Sequence, residues 1–284
     1  MQIFQTIADL RQALKLVKND GLSIGLVPTM GNLHEGHLSL VSSAGKQCDF
    51  VITTIFVNPT QFSPNEDLQN YPRSFDVDIK ALSSLNCDAV FAPKVEEIYP
   101  AGPALDTLVT TPSLSKLHCG ASRPGHFDGV CTVVTKLFNL CQPDKAYFGE
   151  KDYQQLTIIK NLVQDLNLPI EIIGMPTTRE TSGLALSSRN NYLSLEQKQQ
   201  ATILYQSLKN TVKTLEQDSN PIFSELEQVA LKLISSAGLD PDYFSICNAK
   251  SLLPAKPGDK DLVLLVAANL ENTRLIDNIS IKLI

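Results

Sequence analysis

The sequence lacks a basic excess, because 24 lysine and arginine residues face 30 aspartate and glutamate residues, which gives a formal net charge of −6 over 284 residues. Nucleic-acid binding needs a basic patch, so we expect no nucleic-acid partner. No apolar run reaches the roughly 18 residues that cross a bilayer, and the first residues do not resemble a signal peptide. We therefore expect a cytoplasmic protein without a membrane partner.

Several reactive motifs are also missing. The six cysteines form no C-x-x-C pair and stand mostly among apolar neighbours, which favours reduced, structural thiols over a metal site or disulfides. The chain contains no G-x-S-x-G elbow, no Walker P-loop and no zinc-ligand spacing. Neither acyl-enzyme chemistry nor metal-dependent hydrolysis is indicated.

The apolar residues predict an α/β fold. Helical patterns with apolar residues at i, i+3 and i+4 alternate with short, almost wholly apolar runs, which is typical of a parallel sheet covered on both faces. We predict a Rossmann-like, doubly wound parallel sheet of about five strands, at 22–28, 50–57, 88–92, 146–149 and 170–175. Ligands of such sheets bind at the carboxyl ends of the strands.

The character of the sequence changes after Pro176, where a polar stretch rich in small residues begins. Ser194 and Gln197 match a capping box that opens a helix to about residue 216. Three later strands have no helix between them and should pair antiparallel. We expect two domains, a Rossmann-like domain over 1–176 and a smaller α+β domain over 177–284.

The stretch PTMGNLHEGH, residues 28–37, follows the first of these predicted strands and runs into a helix. The free N–H groups of a helix start, together with the imidazoles of His34 and His37 on one helical face, form a seat for phosphate. Gly31 and Gly36 allow an anion to approach the backbone. A single histidine here would be better explained as an ordinary polar residue; two of the chain's four favour function.

A second strand-turn-helix stretch reads FGEKDYQQL, residues 148–156. Lys151 offers a mobile charge for phosphate, and Asp152 can hold a hydrated Mg²⁺ or cap the helix. Gln155 shares their helical face. A solvated helix start explains this stretch about as well.

A third stretch, GLALSSRNNYL, supplies two hydroxyls and a guanidinium at Ser187, Ser188 and Arg189, which together could clamp a phosphate. From composition alone, a flexible polar linker is the better explanation.

Two further stretches carry candidate ligand groups. FVNPTQF places the amides of Asn58 and Gln61 after a strand, where they could bind a carboxylate or hydroxyl, although a turn built on Asn-Pro is simpler. SRPGHF places Arg123 and His126 before a helix, where a structural reason is equally good.

Taken together, these motifs resemble those of the pantoate–β-alanine ligases, within the nucleotidylyl transferase superfamily that shares H-x-G-H. The matching blocks run through nearly the whole chain in the order PTMGNLHEGH, FVNPTQF, YPRSFDVD, SRPGHFDGV, FGEKDYQQL, LALSSRNNYL and RLIDN.

This resemblance implies a reaction in two steps. The carboxylate of pantoate attacks the α-phosphorus of MgATP, which gives pantoyl adenylate and pyrophosphate, and the amine of β-alanine then displaces AMP. The implied cofactors and partners are ATP as substrate, Mg²⁺, pantoate, β-alanine and a second copy of the chain in a homodimer. Because water would destroy the adenylate, the second domain is expected to close as a lid.

The resemblance also implies roles for individual residues. The expected catalytic groups are His34, His37, Lys151, Ser187, Ser188 and Arg189. The expected ATP-binding residues are Met30, Gly31, Asn32, Leu33, His34, Glu35, Gly36, His37, Gly149, Glu150, Lys151, Asp152, Thr178, Leu186, Ser187, Ser188 and Arg189. The expected substrate-binding residues are Gln61 and Gln155, with Asn58 and Arg123 beside them, and Asp152 is the candidate for Mg²⁺.

Three residues depart from the family pattern. Thr178 stands where an apolar nucleotide contact is expected, while Asn269 and Glu271 interrupt the usual sequence before RLIDN, where glycine is commoner than Glu271.

Two alternative functions stay open: an adenylyltransferase acting on a phosphorylated acceptor, and a nucleotide-binding regulatory module without turnover. The neutral amides Asn58, Gln61 and Gln155 disfavour the first. The complete set of phosphate-binding groups disfavours the second.

Overall fold

The computed structural model describes residues 1–63, 66–103, 106–218 and 220–283. Its strands are β1 (Gln2–Phe4), β2 (Ile24–Thr29), β3 (Phe50–Ile55), β4 (Ala89–Phe91), β5 (Lys145–Gly149), β6 (Glu171–Met175), β7 (Asp240–Asn248), β8 (Asp261–Leu270) and β9 (Thr273–Lys282). Its helices are α1 (Ile7–Asn19), α2 (Glu35–Gln47), α3 (Phe75–Ser84), α4 (Val95–Ile98), α5 (Cys119–Ser122), α6 (His126–Cys141), α7 (Tyr153–Asp165), α8 (Leu195–Ala201), α9 (Ile203–Gln217) and α10 (Phe223–Ser236). Short 3-10 turns cover Pro59–Gln61, Glu150–Asp152 and Ser188–Tyr192.

The described chain divides into two units. The first comprises Met1–Ser115, Arg123–Glu150 and Gln155–Pro176, and the second comprises Lys116–Ser122, Lys151–Gln154 and Thr177–Ile284. The predicted domain boundary after residue 176 stays a prediction.

The first unit is built on a parallel sheet with the strand order β1-β4-β3-β2-β5-β6. From β2 the chain runs outward to β3 and β4, and it later returns to the opposite side of β2 to add β5 and β6. The strand order therefore reverses between β2 and β5, and the carboxyl ends of these two neighbours border the point where ligands of such sheets bind. The predicted Rossmann-like sheet is confirmed.

Apolar burial explains why these segments form the sheet. In β2, Ile24, Leu26 and Val27 are fully buried, because both faces of a parallel strand are covered. Val27 packs in a cluster with Val41 of α2 and Leu82 of α3. β1, which extends the sheet beyond the five strands predicted, has three residues at the edge and is too short for periodicity to detect.

The second unit contains an antiparallel sheet in the order β7-β8-β9, as predicted. Leu204 and Leu208 of α9 and Ile234 of α10 pack into one core with apolar residues of these strands. The capping box of Ser194 and Gln197 is confirmed, but the helix that it opens is interrupted at Thr202, which separates α8 from α9.

The turn between β8 and β9 explains one departure from the family pattern. Leu270 pairs with Thr273, and Glu271 has a φ of 50°. Glycine adopts this left-handed conformation without the clash that a Cβ brings. Glu271 is therefore strained where glycine would be relaxed.

We expect Glu271→Gly to raise the free energy of unfolding by roughly 0.5 to 1 kcal/mol, because relief of strain exceeds the added flexibility of the unfolded chain. Urea denaturation measures the change. Asn272→Gly is the matched control, because Asn272, unlike Glu271, lies outside the left-handed region and should lose stability on substitution. Equal losses in both variants would contradict the assignment of strain to Glu271.

Candidate active site

The turn from β2 to α2 is held by the buried carboxylate of Asp78, which lies on α3 and is 1% exposed. Oδ2 of Asp78 accepts from the N–H of Asn32, and Oδ1 accepts from the N–H of Leu33, each at 2.9 Å. Gly31 has a φ of 81°, and a Cβ there would lie 3.2 Å from Oδ2 of Asp78. The turn therefore needs glycine at 31 and an acceptor at 78.

His34 and His37 close the start of α2. Nδ1 of His34 accepts from the N–H of Gly36 at 3.2 Å, and Nδ1 of His37 accepts from the N–H of His34 at 3.4 Å. The two rings lie 4.1 Å apart between centroids. Because Nδ1 is an acceptor in both rings, each neutral imidazole carries its proton on Nε2.

These contacts correct one expectation. The sequence predicts free backbone N–H groups at this helix start, but the N–H of Gly36 bonds to Nδ1 of His34 and the N–H of His37 bonds to the carbonyl of His34 at 2.8 Å. A helix start that is capped by its own side chain has fewer N–H groups for a ligand. The N–H groups of Gly36 and His37 are thus both engaged within the turn.

Gln61 is held by a network of buried side chains after β3. The hydroxyl of Tyr99 donates to Oδ1 of Asn58 at 2.9 Å, and Nδ2 of Asn58 donates to Oε1 of Gln61 at 3.0 Å and to the carbonyl of Gly129 at 3.2 Å. A Cβ at Gly129 would meet the carbonyl oxygen of Thr60 at 2.3 Å, so α6 lies directly against this turn. With Oε1 accepting from Asn58, the remaining polar group of the Gln61 amide is its NH₂ donor.

The main chain of Gln61 is fixed as well. Its carbonyl accepts from Nδ1 of His126 at 2.7 Å and from Arg123 at 3.2 Å, while Nε2 of His126 accepts from Arg123 at 3.0 Å. Arg123 is also paired with Glu66 through two hydrogen bonds of 2.9 and 2.5 Å. Burial by itself would raise the pKa of Glu66, but the hydrogen bonds and charge of Arg123 outweigh it and lower the pKa below its usual value. Asn58 and Arg123 thus both contact Gln61.

The turn after β5 spans both units. Gly149 and Glu150 belong to the first unit, whereas Lys151 and Asp152 belong to the second. Nζ of Lys151 lies 3.8 Å from Oδ1 of Asp152, whose side chain is 48% exposed. The helix predicted after this turn begins at Tyr153 and follows a 3-10 turn, and Gln155 lies in its first turn.

The segment with Ser187, Ser188 and Arg189 is ordered within the second unit and is not a loose linker. Residues 178–186 form a small hairpin, in which the N–H of Leu186 donates to the carbonyl of Thr178 at 3.0 Å. Oγ of Ser187 then accepts from the N–H of Arg189 at 3.3 Å and caps the 3-10 turn Ser188–Tyr192. One folded segment therefore contains Thr178, Leu186, Ser187, Ser188 and Arg189.

The described residues contain no group of three or more histidine, cysteine or carboxylate side chains that could hold a metal ion. All six cysteines are free, and burial raises the pKa of Cys141 and of Cys247 to about 12. Across the same described ranges, no helix is long and apolar enough to cross a membrane.

Comparison with known proteins identifies the family. The model of the pantoate–β-alanine ligase family matches residues 2–280. The chain belongs to this family. It is 53% identical to the pantothenate synthetase of Marinobacter nauticus over 281 residues, 99% of each chain, and 51% identical to that of Pseudomonas putida over 283 residues, 100% of this chain and 98% of the other.

Solved structures agree with this family. A pantothenate synthetase crystal structure from Thermus thermophilus superposes with a TM-score of 0.91 at 43% identity, and it covers 98% of this chain and 99% of its own. A pantoate–β-alanine ligase from Francisella tularensis, crystallised with β,γ-ATP and β-alanine, gives a TM-score of 0.76 at 37% identity, with 98% and 97% covered. The predicted fold and the predicted ligase activity are confirmed.

Sequence reasoning did not single out Asp78 or Glu66 as supports of the site. A signal for Asp78 was available, because a carboxylate four residues before Leu82 shares the buried face of α3. Buried carboxylates are rare unless they are paired or hydrogen-bonded. Glu66 carries no such signal, because its partner Arg123 is 57 residues away.

We expect Asp78→Asn to lower kcat/KM for ATP by roughly 10- to 100-fold, because an amide accepts at one atom only and the turn carrying His34 and His37 would shift. Steady-state kinetics of the purified variant measure the change. Asp76→Asn is the matched control, since Asp76 is exposed on the same helix. If both variants kept the wild-type rate, Asp78 would have no role in holding the turn.

Proposed function

We propose that the residues assembled around the β2 and β5 strand ends carry the ligase reaction of this family, in which ATP activates pantoate for attack by β-alanine. The observation that carries the proposal is the position of the H-x-G-H turn, which leaves β2 directly beside β5 where the strand order reverses. The full-length match to the family supports the same reaction.

The chemistry requires activation because a free carboxylate is a poor electrophile. A carboxylate oxygen of pantoate bonds to the α-phosphorus as the bond to the bridging oxygen breaks, and pyrophosphate leaves with that electron pair. The amine nitrogen of β-alanine then bonds to the acyl carbon, AMP leaves, and the nitrogen loses a proton to give pantothenate. Groups that stabilise charge on the phosphates accelerate the first step.

His34 and His37 serve the nucleotide phosphates in this proposal. Each presents an Nε2–H while its Nδ1 is engaged within the turn. The donors are therefore oriented before ATP binds, and orientation that is set in advance is the main source of such stabilisation. The turn that carries them consists of Met30, Gly31, Asn32, Leu33, Glu35 and Gly36. Gly149 and Glu150 lie at the end of the neighbouring strand β5.

The set of phosphate-binding groups that we propose is completed by Lys151, Ser187, Ser188 and Arg189. An ammonium, two hydroxyls and a guanidinium provide charge and hydrogen bonds that suit phosphate oxygens. Leu186 and Thr178 flank the nucleotide in the same segment. Mg²⁺ normally binds one or two carboxylates together with substrate phosphates, so the carboxylate of Asp152 fits an ion that arrives with ATP.

Gln61 and Gln155 bind pantoate in this proposal. The amide of Gln61 has its oxygen bonded to Asn58 and keeps its NH₂ as donor, which suits the oxygens of a carboxylate or hydroxyl. We assign Asn58 and Arg123 to fixing Gln61, because their own polar groups contact Gln61 and its neighbours. Side chains locked by further hydrogen bonds hold a substrate more accurately than mobile ones.

Four further expectations belong to the same proposal. Residues 1–176 and 177–284 act as two domains, the second as a lid over the adenylate. The enzyme works as a homodimer. Mg²⁺ accompanies ATP, and the reaction takes place in the cytoplasm.

We expect exchange of labelled pyrophosphate into ATP to require pantoate and to proceed without β-alanine, because the first step is complete before the amine enters. Incubation of the purified enzyme with ATP, Mg²⁺ and labelled pyrophosphate, with and without pantoate, measures this. His37→Ala is the control for contaminating activity and should lower exchange by roughly two to three orders of magnitude. Exchange that ignores pantoate would contradict the proposed reaction.

A further inference from the structure

The RLIDN motif, residues 274–278 of β9, has no part in the proposed chemistry, yet two of its side chains contact the segments that carry it. Asp277 and Asn278 are 4% and 6% exposed. One bonds to the hairpin before Ser187, and the other bonds to the main chain of Lys151. All of these residues lie within the second unit.

Asp277 forms a two-point ion pair with Arg179. Nη1 and Nη2 of Arg179 donate to the two carboxylate oxygens at 2.6 and 2.8 Å. Arg179 also stacks on the ring of Tyr205, 3.8 Å from its centroid, and donates to the carbonyls of Gly183 and Asn278 at 3.2 and 3.3 Å. The planar guanidinium therefore has one orientation that satisfies all of these contacts.

Arg179 stands in the hairpin of residues 178–186. Arg179 and Ala185 form an antiparallel bridge, and the N–H of Glu180 donates to the carbonyl of Leu184 at 2.8 Å. Nδ2 of Asn190 donates to the carbonyl of Ala185 at 3.0 Å. The hairpin directly precedes Ser187, and it accepts a hydrogen bond from Asn190, which directly follows Arg189. It therefore fixes both ends of this three-residue segment, and Asp277 fixes the hairpin through Arg179.

Asn278 acts on the other phosphate-binding segment. Its Nδ2 donates to the carbonyl of Lys151 at 2.8 Å, and its own N–H donates to Oδ1 of Asp277 at 2.7 Å. The carbonyl of Lys151 lies in a 3-10 turn, where few regular backbone bonds are available. A side-chain donor at this carbonyl fixes the point from which the lysine side chain extends.

We propose that Asp277, Asn278 and Arg179 are positioning residues that set the places of Lys151 and of Ser187–Arg189 for binding ATP. One dipeptide on β9 fixes both segments, so the charge of the lysine and the donors of the serine and arginine residues keep fixed places within the second unit. This inference rests on the proposed function, because it assigns these residues to the same nucleotide.

The test measures KM for ATP and KM for pantoate in pyrophosphate exchange with Asn278→Ala and, in parallel, Arg179→Lys. The first variant removes the donor to Lys151, and the second keeps the charge but loses the planar fork. Asn139→Ala is the matched control, because Nδ2 of Asn139 likewise donates to one main-chain carbonyl, that of Thr135 at 2.9 Å, at an exposed position of α6.

We expect KM for ATP to rise by roughly tenfold or more in both variants while KM for pantoate changes by less than about twofold, since misplaced groups weaken the interaction that they serve. A merely structural role would lower the folded fraction, which urea unfolding measures. It would not raise KM for ATP more than KM for pantoate. If Asn278→Ala does not fold, Arg179→Lys decides the outcome.

The proposal is overturned if the folded variants keep the wild-type KM for ATP, or if both constants rise together. Failure of the proposed reaction gives a different result, because wild-type enzyme would then show no pantoate-dependent exchange at all.

Discussion

The parallel pairing of β2 with β5 is the constraint on which the site depends. Because strands were added outward from β2 on one side and from β5 on the other, the turns that leave these neighbours diverge to opposite faces of the sheet. The H-x-G-H turn and the end of β5 are thereby brought to the same edge of the sheet, although the elements from α2 to α6 stand between them along the chain.

Buried polar groups then decide how the site's side chains are oriented. The carboxylate of Asp78 fixes the turn, the amide of Asn58 leaves Gln61 with its NH₂ as donor, and Asp277 fixes the guanidinium of Arg179. A buried polar group that loses its partner costs about 1 to 3 kcal/mol, so each network strongly favours one arrangement. The groups that we propose to bind the substrates are therefore held in place by the fold itself.

The sequence predicted much of this fold, because the periodicity of apolar residues identifies long helices and buried strands. It missed β1, which is a three-residue edge strand, and the break at Thr202. It also found the H-x-G-H turn but not the acceptor that holds it, since Asp78 lies 46 residues from Asn32 along the chain. Local patterns carry secondary structure and motifs, whereas contacts between distant segments depend on the assembled sheet.

The protonation of the four histidines tests most directly whether the fold orients the donors in advance. Nitrogen-15 NMR of the ring nitrogens, at a pH where the rings are neutral, distinguishes the two tautomers. Orientation in advance predicts the proton on Nε2 in His34, His37 and His118, whose Nε2 contacts the carbonyl of Leu252, and on Nδ1 in His126, whose Nδ1 contacts the carbonyl of Gln61. A proton on Nδ1 of His34 or His37 would contradict it.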